Sequence, residues 1–454
     1  MKRTLIAFIS LALLCASLQA TALPVIAVLP PSDEAGEYSW GPGIAAAITD
    51  ALSSSPDYIV LSDQQVLSAL DRFAVGAAPA PERAATLLRA DIVISGELTR
   101  LPNLQLVLAV QGAQADISPV EAAGCAELLR KACAQLVGTF SVSGLQQSHL
   151  TDSEEAAQAF MEARYYHCRY EAADTALESY QQALAAAPEF ALARYQRANL
   201  LRDVGRWEEA REEYEAALRL GEHWPRAQAN LASVYFMLGD TGRADSLWQQ
   251  VAGQGLDPLA VAYATNNLGT ALLARKDLPG AERQYRMALG LWPDYAMATA
   301  NLGLLERVRK DYRAAVGYLQ GAASQESDLK AAAFAEKTWG DLLRQQKKYS
   351  EALEHYRRAL DIQPWHAMAY VNMGVTYKQM GRTSEAEYSY REAINLGNNP
   401  IAAAYAHNNL GNLFMAKYMY RVAAGEYERA LELKPDYEAA RDNLAKARQR
   451  IRGQ

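Results

Sequence analysis

Cysteine is scarce. Four in 454 residues are too few to staple a chain of this length, which excludes a disulfide framework. Positive charge is in no excess. Forty-five Lys and Arg stand against 52 Asp and Glu, a net charge of −7, so the basic face of a nucleic-acid binder is not expected. Past the N-terminus no apolar run reaches the roughly 18 residues of a spanning helix, so no transmembrane segment is expected in the mature chain. Aromatics are sparse in the first third. Only Trp40, of 7 Trp, and Tyr38 and Tyr58, of 25 Tyr, precede residue 150. The chain therefore has two unlike parts.

Catalytic signatures are missing too. There is no H-E-x-x-H, P-loop, G-x-S-x-G or C-x-x-C. His149, His167, His223, His355, His366 and His407 are scattered. Cys168 follows His167, but neighbours on a helix point about 100° apart, so the two form no nucleophile pair. No enzyme, cofactor or metal site is expected.

What is present begins with an address. Lys2 and Arg3 precede the apolar run Thr4 to Leu14, and Ala20-Thr21-Ala22 closes it as an A-x-A site. This is the layout of a secretory signal peptide over residues 1–22. The mature chain would start near Leu23, in an oxidising compartment such as the periplasm of a Gram-negative bacterium. Cys15 raises a lipoprotein alternative, but Leu14 stands where a lipobox has a small residue. Removing the signal leaves Cys125, Cys133 and Cys168, an odd number. Cys125 and Cys133 lie eight residues apart on one expected helix, about 12 Å by rise, too far for a disulfide. They read as small buried apolar residues.

Residues 23–150 carry 13 acidic and 6 basic residues, a net of −7, and residues 151–454 a net of −2. Val25 to Leu29 reads as a buried strand, Ile44 to Ser54 as a helix and Tyr58 to Leu61 as a strand. Asp63 to Phe73 follows as a helix capped by Asp63, then Pro81 to Arg89 as another. Asp91 to Thr99 and Leu104 to Asp116 form a hairpin around Leu101-Pro102-Asn103. Val120 to Phe140 closes with a long helix. The sum is a small α/β domain. Gly41-Pro42-Gly43-Ile44-Ala45-Ala46 fits a dinucleotide fingerprint, with Asp63 about 20 residues on. Eleven residues, Pro30 to Trp40, separate it from the strand that should abut it, so the alternative is a glycine loop entering a helix. The run V-I-A-V-L-P-P, then I-T-D-A-L, Y-I-V-L-S-D and A-D-I-V-I-S-G-E-L resembles the amino-terminal domain of TolB and related FlgO- and CsgG-like domains. That resemblance implies an envelope accessory module.

After residue 150 the chain repeats. Tyr370-x2-Met373-Gly374-x2-Tyr377 is followed by Ala386, Tyr390 and Ala393. Leu268-Gly269, Trp339-Gly340 and Leu410-Gly411 head the same grid, closed by Pro293, Pro364 and Pro435. Eight units start near residues 157, 191, 225, 262, 296, 333, 367 and 404. The starts 191, 262, 333 and 404 are 71 residues apart, so the array reads as duplicated two-hairpin units, one helix lengthened by about a turn. Small residues at position 8 mark close helix approach. Tyr214, Tyr285, Tyr356, Tyr390 and Tyr427 are expected to fill the space between neighbouring hairpins. The grid resembles tetratricopeptide repeats over nearly all of residues 154–437. It implies a mainly α fold, a right-handed α-solenoid of about eight helical hairpins behind the small α/β domain. Residues 438–454 read as a charged capping helix.

The resemblance also implies a concave groove for a protein or peptide partner, faced by positions 2, 5, 9 and 12. On this chain those positions include Tyr195, Asn199, Arg202, Arg226, Tyr263, Asn266, Thr270, Lys337, Asp341, Arg344, Lys378, Tyr405, Asn408 and Asn412. The family's carboxylate clamp is incomplete here. Asn230, Asn267, Asn301, Asn372 and Asn409 recur at position 6 as scaffold residues. The resulting expectation is an exported adaptor. The rivals are a subunit of an outer-membrane secretion or assembly machine, and a nucleotide-binding or enzymatic protein using the Gly41-Gly43 loop.

Overall fold

The computed structural model describes residues 23–33, 40–53, 55, 57–62, 65–66, 81–99, 104–113, 115, 117–140, 149–167, 172–221, 223–325, 328–397 and 399–452. The signal segment with Cys15, most of the Asp63 to Phe73 helix, the Leu101-Pro102-Asn103 turn and Cys168 lie outside the described residues.

The N-terminal domain runs β1 (Val25–Val28), β2 (Ser32–Asp33), α1 (Gly41–Leu52), β3 (Ile59–Val60), α2 (Pro81–Leu88), β4 (Ile92–Thr99), β5 (Leu104–Gln111), β6 (Val120–Ala122) and α3 (Cys125–Thr139). The strand order is β3-β1-β4-β5-β6, and β2 pairs β4 beyond the Pro30-Pro31 interruption. β3, β1 and β4 are parallel; β4, β5 and β6 are antiparallel. β1 is buried at all four residues because it is central and covered on both faces. β5 alternates instead, with Leu104, Leu106 and Leu108 inward and Val107 exposed.

The helix expected from Val120 begins later. Val120 and Ala122 pair with Leu106 and Leu104 as an edge strand, and the helix starts at Cys125. Glu154 sets that boundary: its carboxylate accepts from the amides of Cys125 (2.8 Å) and Ala126 (3.1 Å). It lies so close to Gly124 that a Cβ there would not fit. Burial would raise the Glu154 carboxyl, but these amides hold it below the usual range. Glu154→Gln is expected to cost about 1–2 kcal/mol at pH 7. A carboxyl depressed on folding stabilises above its unfolded value of 4.5, and that share is lost as pH falls through the folded value. Urea melts at pH 7 and pH 3.5 should therefore show a flatter acid loss in the variant than in the wild type.

Gly41 and Gly43 form the first turn of α1 rather than a loop. Met161 packs directly on Gly43, leaving no room for a Cβ. Close helix packing thus accounts for this glycine. Cys125 and Cys133 are both buried on α3 without a disulfide, and burial pushes the Cys133 thiol up.

The array follows in eight hairpins. They are α4 (Glu154–His167) with α5 (Ala173–Ala186), α6 (Ala191–Asp203) with α7 (Trp207–Leu220), α8 (Pro225–Met237) with α9 (Thr241–Gln254), and α10 (Pro258–Ala274) with α11 (Leu278–Leu291). Then come α12 (Ala296–Arg309) with α13 (Tyr312–Ala323), α14 (Leu329–Gln345) with α15 (Tyr349–Ile362), α16 (Ala367–Gln379) with α17 (Thr383–Asn395), and α18 (Pro400–Ala416) with α19 (Tyr420–Leu433). α20 (Glu438–Arg452) covers the last hairpin. The fold is mainly α, with a small sheet at its start.

The duplication is visible in three dimensions. α10, α14 and α18 have 17 residues each, where the other first helices have 13 or 14. Their caps Asp257, Asp328 and Asn399 lie 71 residues apart and accept from the helix's own first amides. A cross-helix pair recurs on the same grid in three of four copies, skipping Thr265 and Gln284: Arg194–Glu213 (3.2 Å), Glu336–His355 (2.6 Å) and His407–Glu426 (2.7 Å). In the Glu336–His355 copy alone the acid stands on the first helix and the base on the second.

The tyrosines act within hairpins, not between them. Tyr285, Tyr356, Tyr390 and Tyr427 lie on Gly269, Gly340, Gly374 and Gly411 of the partner helix, where an added Cβ would come within 2.5–2.7 Å of the ring. The grid marks where a large residue faces a small one but not which helix supplies each. Successive first helices touch each other along the whole array, whereas second helices splay apart. The first helices therefore line the inside of the curve. The curve is tight: Gly205, in the turn after α6, meets Pro400, and Lys330 approaches Asp203 at 3.9 Å.

Candidate functional site

The inner face divides into three stretches. The first is covered by the chain's own N-terminal domain. Val25, Ala27, Leu29, Ile59, Leu61 and Leu88 form one apolar cluster with Leu259, Ala262, Trp292 and Tyr295. β3 is the outer strand of the sheet. Ile59 and Leu61 donate to β1, at Pro24 and Ile26, so the Val60 carbonyl points the other way. Arg226 donates to it from Nη2 at 2.6 Å, and from Nε to Asp257 at 2.6 Å. Arg226 and Asp257 are 6% and 1% exposed. Burial opposes the guanidinium charge, but Asp257 holds its pKa above the ordinary value. A groove arginine thus takes the place of the next strand on the β3 edge. Arg89 and Asp294 add an exposed ion pair at 2.5 Å. Further along, His149 contacts Asp50 at 2.9 Å and stacks on Trp224 at 3.7 Å, and Trp224 meets Tyr195 at 4.7 Å. Of the residues expected to face the groove, Tyr195, Arg226 and Tyr263 lie in this covered stretch.

The second stretch is a ladder that ties hairpins together. Asn199, Asp341 and Asn412 each accept from the tyrosine 15 residues on: Tyr214 (2.6 Å), Tyr356 (2.7 Å) and Tyr427 (2.8 Å). Each also accepts from the asparagine 31 residues on: Asn230, Asn372 and Asn443. Thr270, the fourth copy, is short. It takes the Tyr285 hydroxyl at 3.4 Å, while Asn301 turns to Asn266 at 2.9 Å. Asn408 accepts from Asn443 and donates to Tyr437. Where position 9 is Val375, the Tyr390 hydroxyl is buried with no partner among the described residues.

The third stretch is open, over repeats 5–8. Lys337 and Arg344 flank Asp341 at 3.2 and 3.9 Å. Lys378 is exposed, and the half-buried Tyr405 meets the edge of Tyr437. Arg202 pairs with Asp203 at 2.9 Å, and Lys330 of α14 approaches the same carboxylate at 3.9 Å. The same grid supplies Met297, Phe334 and Met368 at position 2, in a row with Tyr405, and Arg307 at position 12, in a row with Arg344 and Lys378. A search for polar groups alone passes over the methionines and Phe334. Trp224, Trp292 and Tyr295 were missed as well: Trp224 and Tyr295 cap the starts of first helices, and Trp292 caps the end of α11, outside the groove-facing positions.

An α-solenoid of helical hairpins with a partner-sized inner face is a protein-binding architecture. Matching family models make it specific: a tetratricopeptide repeat model matches residues 171–223, 195–255, 229–296 and 266–333, a TPR repeat model residues 340–381, and a second tetratricopeptide repeat model residues 367–399. The chain carries tetratricopeptide repeats. It is similar to human Protein O-mannosyl-transferase TMTC3, 34% identical over 113 residues, covering 22% of this chain and 12% of that protein. It is also similar to human Protein O-mannosyl-transferase TMTC1, 28% identical over 233 residues, covering 48% and 24%. Among solved structures it is similar to the APC/C hetero-tetramer Cut9-Hcn1, with a TM-score of 0.44 at 16% identity, covering 70% of this chain and 59% of that one. A tetratricopeptide repeat protein from Parabacteroides merdae gives a TM-score of 0.38 at 17% identity, covering 57% and 98%.

These relatives correct one expectation. The absence of catalytic motifs led to the expectation of no enzyme, and relatives named as transferases overturn it. The chain spans only 12% to 24% of the length of the curated relatives it matches. No helix among the described residues is long and apolar enough to cross a membrane.

Proposed function

We propose that this chain is an exported envelope adaptor whose open inner face, over repeats 5–8, holds an acidic amphipathic segment of a partner protein. The carrying observation is the pairing of two rows. Phe334, Met368 and Tyr405 offer apolar surface, and Arg307, Arg344 and Lys378 offer positive charge. Asp341 is the one acid at positions 2, 5, 9 and 12 of these repeats, and Lys337, Arg344, Tyr356 and Asn372 already engage it. The signal-like N-terminus supports export to the periplasm. The TolB-like element order supports docking of the N-terminal domain to an envelope component through the sheet face that bears Val107.

The test is affinity capture from cross-linked envelope extract, with wild-type chain and with Arg307, Arg344 and Lys378 all changed to Glu. The captured partner should be lost with the triple variant. Capture by wild type should fall at least tenfold between about 50 and 500 mM salt, because the contacts are ionic. A partner kept by the triple variant would falsify the reading.

The relatives' names favour a second reading, in which the array presents a protein to a mannosyl-transfer reaction. Labelled mannose incorporated into captured proteins, and abolished by deleting the chain, would support it.

A further inference from the structure

The N-terminal domain covers part of the inner face, and two features set this contact apart from a sealed core. The first is the chemistry of what is covered. A strand edge is normally satisfied by another strand. Here a guanidinium donates to the outward carbonyl of Val60, while Ile59 and Leu61 are buried beside Leu259, Trp292 and Tyr295. An extended chain with alternate apolar side chains is held by one backbone carbonyl and an aromatic wall. That is how a groove holds a peptide in extended form.

The second feature is a concentration of unpartnered polar atoms at the other end of the same contact. Thr49 Oγ1, His149 Nε2, Trp224 Nε1 and Gln228 Oε1 are buried with no hydrogen-bond partner among the described residues. Thr49 follows Ile48 on α1, His149 bonds the next residue, Asp50, and stacks on Trp224, and Gln228 lies one turn beyond Trp224 on α8. Water satisfies such groups when they are exposed, so covering them opposes docking. The Arg89–Asp294 pair that bounds the contact is exposed on both sides, at 48% and 45%, and holds weakly.

We propose that repeats 3–5 form a second docking surface, for an extended apolar β-branched peptide segment, and that β3 of the N-terminal domain is its resident, displaceable occupant. The partner is identified by what already sits there: Tyr58-Ile59-Val60-Leu61, a strand with one free carbonyl edge. This surface borders the cationic face at repeat 5, where Met297 packs against the covered cluster. Its partner is apolar and extended rather than acidic.

The probe is a fluorescein-labelled synthetic peptide with the sequence of residues 55–62, titrated by anisotropy into full-length chain. Arg89→Glu sets like charges against Asp294. It weakens the cover without touching Arg226, Tyr263 or Trp292. The peptide should bind Arg89→Glu about five- to tenfold more tightly than wild type, because apparent affinity scales with the uncovered fraction. A control peptide with Ile59→Asp and Leu61→Asp should lose binding, and that control does not depend on any variant chain folding. A chain with Lys337 and Arg344 changed to Glu should keep wild-type affinity for the peptide, which separates this surface from the open one. Equal affinity for wild type and Arg89→Glu, no binding to either, or equal binding of the control peptide would each overturn the proposal.

Discussion

Tyr356→Ala should lower the stability of the repeat array by about 3–5 kcal/mol, read from urea melts followed by circular dichroism. The ring is fully buried against Gly340. Its hydroxyl donates to Asp341 at 2.7 Å. The change opens a cavity between α14 and α15 and removes one of the donors that keep Asp341 satisfied. Tyr356→Phe isolates the hydroxyl. It should cost about 1.5–3 kcal/mol, since the lost bond is to a carboxylate. Tyr390→Phe is the matched control. That ring is packed the same way on Gly374, but Val375 stands where Asp341 would stand and the hydroxyl has no partner among the described residues. Its removal should be neutral or stabilising. Equal losses at the two sites would sink the ladder account. Because each repeat leans only on its neighbours, hydrogen exchange in Tyr356→Ala should rise first in α14 and α15.

The hairpins were legible because each rests on local spacing: small residue, tyrosine, alanine, proline at fixed intervals. The 71-residue duplication was legible for the same reason, down to the added turn in α10, α14 and α18. What escaped depends on residues far apart in sequence. Val120 to Ala122 carries no helix breaker, and only pairing to β5 and the Glu154 carboxylate, some 30 residues on, make it a strand. The partner of each tyrosine escaped because spacing gives size, not neighbour. The covered groove escaped most completely. Arg226 fits position 2 of its repeat as a peptide-facing cation, and nothing near it announces that Val60, 166 residues earlier, supplies the carbonyl. The ladder residues were picked for their polarity, which is real. That polarity is largely turned toward the scaffold in Asn199, Asp341 and Asn412.

Arg226→Met should destabilise the chain by about 3–5 kcal/mol and release the N-terminal domain from the array. Most of that loss comes from Asp257, left charged at 1% exposure without its guanidinium. The chain itself shows how to remove the penalty. One and two duplication steps on, the residues matching Arg226 are Met297 and Met368, and those matching Asp257 are Asp328 and Asn399. Asn399 caps α18 by accepting from Ala402 at 2.9 Å, so an asparagine serves at this cap. At Asp328, which no arginine among the described residues bonds, burial pushes the pKa up. The uncompensated form is thus costly when charged. The double variant Arg226→Met with Asp257→Asn gives this unit the pair that its last copy carries. It should recover most of the array's stability, within about 1 kcal/mol of wild type. It should still expose the β3 edge, because no guanidinium then reaches Val60. The two effects separate by measurement: urea midpoints report the array, and hydrogen exchange of residues 58–62 reports the docked strand. If the single and double variants are equally stable, the buried pair does not hold the domain down, and the apolar cluster around Trp292 and Tyr295 carries the docking instead.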